Sequence, residues 1–313
     1  MGRVIRRKPV RVSPLIGGFG PTGPSGRQVN RSSNVNVASV TMSRRQPTAR
    51  PLDVILIGYT APQTERALSI CDQILAGVPV ASRILVLNNP RQPQPTRHGW
   101  TTLRGSNELG EFSAWHEGLA LRGSGERRDV LFANDTLGRQ RRPSIFRRWA
   151  LRREMADAGD GAVLVNFTGQ RVAPDAAMYI GGLPLHSWMS SYCFLVTAAA
   201  LDLLGGKLYD PDEIASCVHG GPHERTFFTD RVSPALRAHL TWWLFQGWHR
   251  SEALTPESQE RLALKARCIC AELLLSARCQ SLGAESRDPL ERHPVARFLD
   301  RANSARWALL TGA

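Results

Sequence analysis

The sequence predicts an α/β protein: an open, mostly parallel sheet flanked by helices, followed by a helical C-terminal region. Three observations carry this. First, Asp53-Val-Ile-Leu-Ile-Gly58, Arg83-Ile-Leu-Val-Leu-Asn-Asn89 and Asp129-Val-Leu-Phe-Ala-Asn-Asp135 are apolar runs of strand length ending in small, amide or carboxylate residues. Second, helix-length segments separate them, and near-continuous apolar strands alternating with helices read as a parallel sheet buried on both faces. Third, apolar positions after Pro234 recur at three- and four-residue spacing over 234–246 and 256–282, which is the helical period.

The elements follow in order. Strand 53–58 leads to a helix near 62–77, with Thr60 placed to cap it, Pro62 in its first turn and Gly77 at its stop. Strand 83–88 runs into the Pro-rich loop 90–95, then a short run Trp100-Thr-Thr-Leu103 and a helix near 110–121. Strand 129–133 follows. In the second half, 162–167 and 190–196 read as strands, and 198–204 as a helix stopped by Gly205-Gly206. The expected organisation is a basic disordered tail over 1–50, a sheet domain over 51–232 and a helical region over 233–313.

Charge is unevenly placed. The chain of 313 residues carries a formal +13 and a pI near 10.5, values that invite a nucleic-acid reading. Residues 1–52 hold ten Arg and Lys and no acid. Removing those ten leaves 30 basic against 27 acidic residues, about +3 for the remainder. The excess therefore sits in a tail whose composition buries too little surface to offset its ordering entropy. A transit peptide, or a start at Met42, are the other readings of that tail. No run approaches the ~18 apolar residues of a membrane span, and the scattered cysteines read as reduced thiols. The expected location is cytoplasmic, with peripheral contact at the inner face of the membrane as an option through the arginines of 139–153.

Polar residues at the carboxyl ends of parallel strands stand where open α/β sheets bind ligands. Asn134-Asp135-Thr136 also has the composition of a plain turn, and so does Asn88-Asn89 before Pro90. The order Ile57-Gly58-Tyr59-Thr60, Asn88-Asn89, Asn107-Glu-Leu-Gly110 and Asn134-Asp135-Thr136 resembles the first half of a family-2-like glycosyltransferase of the GT-A fold. Asn134-Asp135-Thr136 departs from that family's DxD motif by carrying one carboxylate. It is closer to the Asn-Asp-Ser usual in the rhamnan-synthesis type of polysaccharide glycosyltransferase. Trp188-Met-Ser-Ser-Tyr-Cys-Phe194 and Glu272-Leu-Leu-Leu-Ser-Ala-Arg278 with Gly283 resemble two later motifs of that group.

The resemblance implies a nucleotide-sugar donor and a glycan or lipid-linked acceptor, with nucleic acid disfavoured as a partner. It implies nucleotide contacts from Gly58, Tyr59, Thr60, Asn88, Asn107, Gly110 and Asn134, and a divalent cation (Mg²⁺ or Mn²⁺) at Asp135. One carboxylate suffices for such a cation, because Mg²⁺ completes its shell with phosphates and water. If the reaction inverts configuration, the acceptor hydroxyl needs a base; Glu224, Asp230 and Asp212 are the candidates. The rivals are a nucleic-acid-binding protein that uses the tail as an electrostatic arm, and a glycosyltransferase-like fold without activity.

Overall fold

A computed structural model describes residues 50–95, 97–122, 127–139, 143–171, 177–247 and 251–311, without the side chains of 138, 139, 168–171 and 304–311. The basic tail, Arg141, Arg142, the side chain of Arg139 and Trp248 lie outside the described residues.

The first half is built from β1 (Leu52–Gly58), α1 (Ala61–Ile74), β2 (Val80–Leu87), β3 (Thr101–Arg104), α2 (Glu111–Arg122) and β4 (Val130–Asn134). Every residue of β1 and β4 is buried, as continuous apolar runs between two helical layers require. A one-turn α3 (Thr136–Arg139) and α4 (Ile145–Asp157) lead to β5 (Val163–Arg171), the small hairpin β6 (Tyr179–Ile180) and β7 (Leu183–Pro184), and β8 (Ser187–Val196). Then come α5 (Ala198–Leu203), α6 (Pro211–Cys217), a 3₁₀ turn Glu224–Thr226, and α7 (Pro234–Trp242), which loosens into a π-helical segment Trp243–Gly247. The chain ends with α8 (Pro256–Ser281), β9 (Glu285–Arg287), α9 (Pro289–Arg292) and α10 (Pro294–Thr311).

The seven-stranded sheet has the order β3-β2-β1-β4-β8-β5-β9. The pairs β1–β2, β1–β4, β2–β3 and β5–β9 are parallel. Only β8 runs against its neighbours β4 and β5. The sheet is therefore mostly parallel with helices on both faces. On one face α1 packs Ala67, Leu68, Cys71 and Ile74 against Val54, Leu56, Leu85 and Leu131. On the other, α2 packs Phe112 and Trp115 against Ile55, Ile57, Val86 and Phe132.

Chain order and strand order together locate a topological switch point. From β1 the chain moves outward to β2 and β3, then returns through α2 to place β4 on the opposite side of β1. The switch point lies between β1 and β4, the position at which open α/β sheets bind their ligands.

The C-terminal helices are part of this body, since Pro47–Ala313 form one compact unit. α8 begins with Thr255 and Ser258 in a reciprocal capping box and Pro256 in its first turn. It buries Leu262, Ala266, Cys270, Leu273 and Leu274 in the core that α2 also enters. All six cysteines are buried and unpaired. No described helix is long and apolar enough to cross a membrane.

Candidate functional site

At the switch point the chain brings together residues that the sequence scatters over 138 positions, from Asn134 to Glu272, and over a further 75, back to Tyr59. Gly58 ends β1 where α1 folds back most closely: a Cβ there would collide with the Thr64 side chain. Thr64 Oγ1 in turn donates to Thr60 O at 2.8 Å, which fixes the first turn of α1. Thr60 occupies the cap position of α1, but its side chain makes no capping bond. The amides of Tyr59 and Thr60 both donate to Asp135 Oδ2, at 2.8 and 3.2 Å. Asp135 is 4% exposed. Its carboxylate thus ties the loop after β1 to the loop after β4.

Asn88 follows β2 directly and is 1% exposed. Its Nδ2 lies 2.8 Å from Asn107 Oδ1, 2.8 Å from Gly110 O and 3.1 Å from Tyr59 Oη. Two protons cannot serve three acceptors fully, so this amide shares its bonds. Its Oδ1 is buried without a hydrogen-bond partner. Asn107 holds a positive φ of 58°, a conformation asparagine tolerates better than most residues. That turn delivers Gly110, also at positive φ, where a Cβ would lie 2.9 Å from Cys268 Sγ on α8. Glycine at 110 is what lets α2, α8 and Tyr59 meet.

The remaining rim comes from residues that sequence reasoning did not assign to the site. Tyr59 Oη donates to Glu111 Oε2 at 3.4 Å, and burial followed by the Glu111 charge pushes the phenol pKa well up. Glu272, one helical turn after Cys268, keeps partial exposure but is densely surrounded. Its carboxyl is raised to about 7, chiefly by desolvation and then by the Glu111 charge, against the lowering effect of hydrogen bonds from Ser191. Ser191 O accepts from Asn134 Nδ2 at 3.5 Å, while Asn134 Oδ1 accepts from the Thr136 amide at 3.0 Å. Asn134, Asp135, Tyr59, Glu111, Glu272 and Ser191 thus form a closed polar rim around the switch point.

Of the sequence-predicted residues, Gly58, Tyr59, Thr60, Asn88, Asn107, Gly110, Asn134 and Asp135 converge here. Glu224, Asp230 and Asp212 stand elsewhere. All three are exposed, and no side-chain hydrogen bond or ion pair holds any of them. They belong to α6 and the loop after it, which pack beside the first turns of α8 through Gly220 and Gln259. Glu272 did carry a sequence signal: it is the one carboxylate in the apolar stretch 268–277.

A cation held by protein alone does not fit. Among the described residues no group of three or more His, Cys, Asp or Glu side chains is placed to hold a metal ion. A cation that completes its shell with a ligand's oxygens needs only one protein carboxylate, and Asp135 is the carboxylate that directly follows β4.

No protein-family model matches the chain, and no curated protein matches it. Among solved structures, the chain is similar to the mannosyltransferase PcManGT from Pyrobaculum calidifontis in complex with GDP-Man and Mn²⁺. The identity is 15% and the TM-score 0.33, over 84% of this chain and 82% of that one. At that distance the reading of this chain rests on its own residues.

Proposed function

We propose that this protein is a GT-A-like glycosyltransferase that moves a sugar from a nucleotide-diphosphate sugar to a glycan or lipid-linked acceptor in polysaccharide biosynthesis. The observation that carries the reading is the switch point, where Asp135 after β4 accepts from the loop after β1 and Asn88 after β2 donates to Tyr59 of that loop. Gly58, Tyr59, Thr60, Asn88, Asn107 and Gly110 form the nucleotide side, with Asn134 on the opposite lip. The order of these motifs along the chain supports the same reading, as does their resemblance to rhamnan-synthesis-type enzymes.

The division of labour follows from the chemistry. A sugar nucleotide leaves as a diphosphate that gains negative charge in the transition state. A divalent cation at Asp135, bound with the diphosphate, would stabilise that charge. Asp135 would hold it while keeping Oδ2 on the Tyr59 and Thr60 amides, so the cation and the nucleotide loop would be positioned by one side chain. Tyr59 and Asn88 would meet the nucleoside.

Titration calorimetry of the full chain with UDP, GDP and dTDP, with and without Mn²⁺, tests the proposal. Metal-dependent binding of one nucleotide is the expected result. Absence of binding to all three would overturn it, and tight salt-sensitive binding to nucleic acid would then favour the rival reading of the basic tail.

A further inference from the structure

Resting on the transferase reading above, we infer that Glu272 is the catalytic base of the reaction, in place of the carboxylates at 212, 224 and 230. The argument begins with placement. α8 lies along β8 with its register pinned by the Met189 amide, which donates to Ser276 Oγ at 3.1 Å. That register sets Cys268 against Gly110 on the nucleotide side of the site. Residues four apart on a helix share a face, so Glu272 occupies the next position along the same rim. It is flanked by Ser191 of β8 and Glu111 of α2, with Lys265 on its own helix. Through Ser191, which accepts from Asn134, and through Glu111, which accepts from Tyr59, Glu272 links the two lips of the site.

Its surroundings suit the task. A general base works best when its pKa lies near the operating pH, and burial beside a second carboxylate brings Glu272 to about 7. Partial exposure leaves it reachable by an acceptor. In the step, the acceptor hydroxyl gives its proton to the Glu272 carboxylate as its oxygen bonds to the anomeric carbon. The bond from that carbon to the diphosphate breaks, and its electron pair leaves with the nucleoside diphosphate. The configuration inverts.

The test compares wild type with Glu272→Gln in the full chain. Two quantities are read: Mn²⁺-dependent binding of UDP, GDP and dTDP by calorimetry, and release of nucleoside diphosphate from UDP-glucose, GDP-mannose and dTDP-rhamnose between pH 5.5 and 9. For the wild type, kcat should fall as pH drops through about 7. Glu272→Gln should bind nucleotide as the wild type does, lose about 10²–10⁴-fold in kcat, and lose that acid limb. Glu272→Asp should restore part of the rate. Turnover by Glu272→Gln at the wild-type rate would overturn the assignment. So would its loss of nucleotide binding, which would make Glu272 a binding or structural group, and so would a wild type that binds nucleotide but turns over no donor. Failure of the wild type to bind any nucleotide would instead overturn the parent reading.

Discussion

The two ends of the parallel strands hold their charges in opposite ways. At the amino edge, Asp53 opens β1 fully buried, with Arg122 Nε at 2.7 Å and Arg128 Nε at 3.0 Å. Ser82 Oγ donates to its other oxygen, and Asp129 accepts from the Ala198 amide at 2.8 Å. Every carboxylate there is matched by a cation or an amide. At the carboxyl edge Asp135 is matched by the Tyr59 and Thr60 amides, but Glu272 faces Glu111, and Asn88 keeps a buried oxygen without a partner. A buried charge that is fully matched holds a fold together. Carboxylates set beside each other, and polar atoms left short of partners, are stabilised by whatever binds there. The comparison separates an edge whose charges are matched within the fold from the edge where the ligand site is proposed.

The largest effect that would break this comparison concerns Asp53. Asp53→Ala leaves two arginines without their shared partner, one of them largely buried. Removing one partner of a buried ion pair costs about 3–5 kcal/mol. Urea unfolding should show a loss of that size, while nucleotide affinity measured below the transition stays at the wild-type value. A loss of affinity without a loss of stability would mean that the amino edge is part of the site.

Asn88→Ala comes next and should touch both properties. The shared amide bonds to Asn107, Gly110 and Tyr59 would go, leaving the buried Gly110 carbonyl unsatisfied at about 1–3 kcal/mol. Because Asn88 organises the nucleotide side, affinity should fall with stability. A variant destabilised by this amount that binds nucleotide normally would show that Asn88 is only a scaffold residue.

Much of this was legible in the sequence, for physical reasons. β1 and β4 are buried along their whole length and β2 over 84–87, so they read as apolar runs, and α8 shows its cap and its period over 26 residues. The eight positions proposed for the site, from Gly58 to Asp135, could be named because parallel strands put their carboxyl ends on one edge. The sequence did not show that β8 runs antiparallel, since a strand's direction leaves no mark on its composition. β9 was missed because Glu285-Ser-Arg287 has no apolar residue; it is held by edge pairing to β5. The division at 233 did not anticipate that α8 shares a core with α2. Glu111, Ser191 and Glu272 were not assigned to the site because they come together only through the packing of α2, β8 and α8. The expected roles of the arginines at 139, 141 and 142 fall outside the described residues.

Glu272 offers a prediction whose sign depends on pH. Its folded pKa is raised from 4.5 to about 7, so the native state keeps a proton that the unfolded chain releases. The stability this group contributes is full below its unfolded pKa and is lost as pH rises through about 7. Glu272→Gln should therefore match the wild type in stability near pH 4 and exceed it at pH 8 by up to roughly 3 kcal/mol. Denaturation at both pH values checks this, and an offset independent of pH would remove the carboxyl pair from the picture.

The smallest stability effect and the sharpest functional one are expected together, at Asp135. Asn at this position keeps an oxygen to accept from the Tyr59 and Thr60 amides, which in the wild type bond to Oδ2. It removes only the charge. A bond to a neutral acceptor is weaker than one to a carboxylate, so Asp135→Asn should cost about 1 kcal/mol. The same change removes the one carboxylate proposed to share a cation with the diphosphate, and Mn²⁺ should no longer strengthen nucleotide binding. Asp135→Ala, which also frees the two amides, should destabilise more while showing the same loss of metal dependence. If Asp135→Asn kept the full Mn²⁺ effect, Asp135 would be a structural tie like Asp53, and the contrast between the two edges would rest on Glu272 and Asn88 alone.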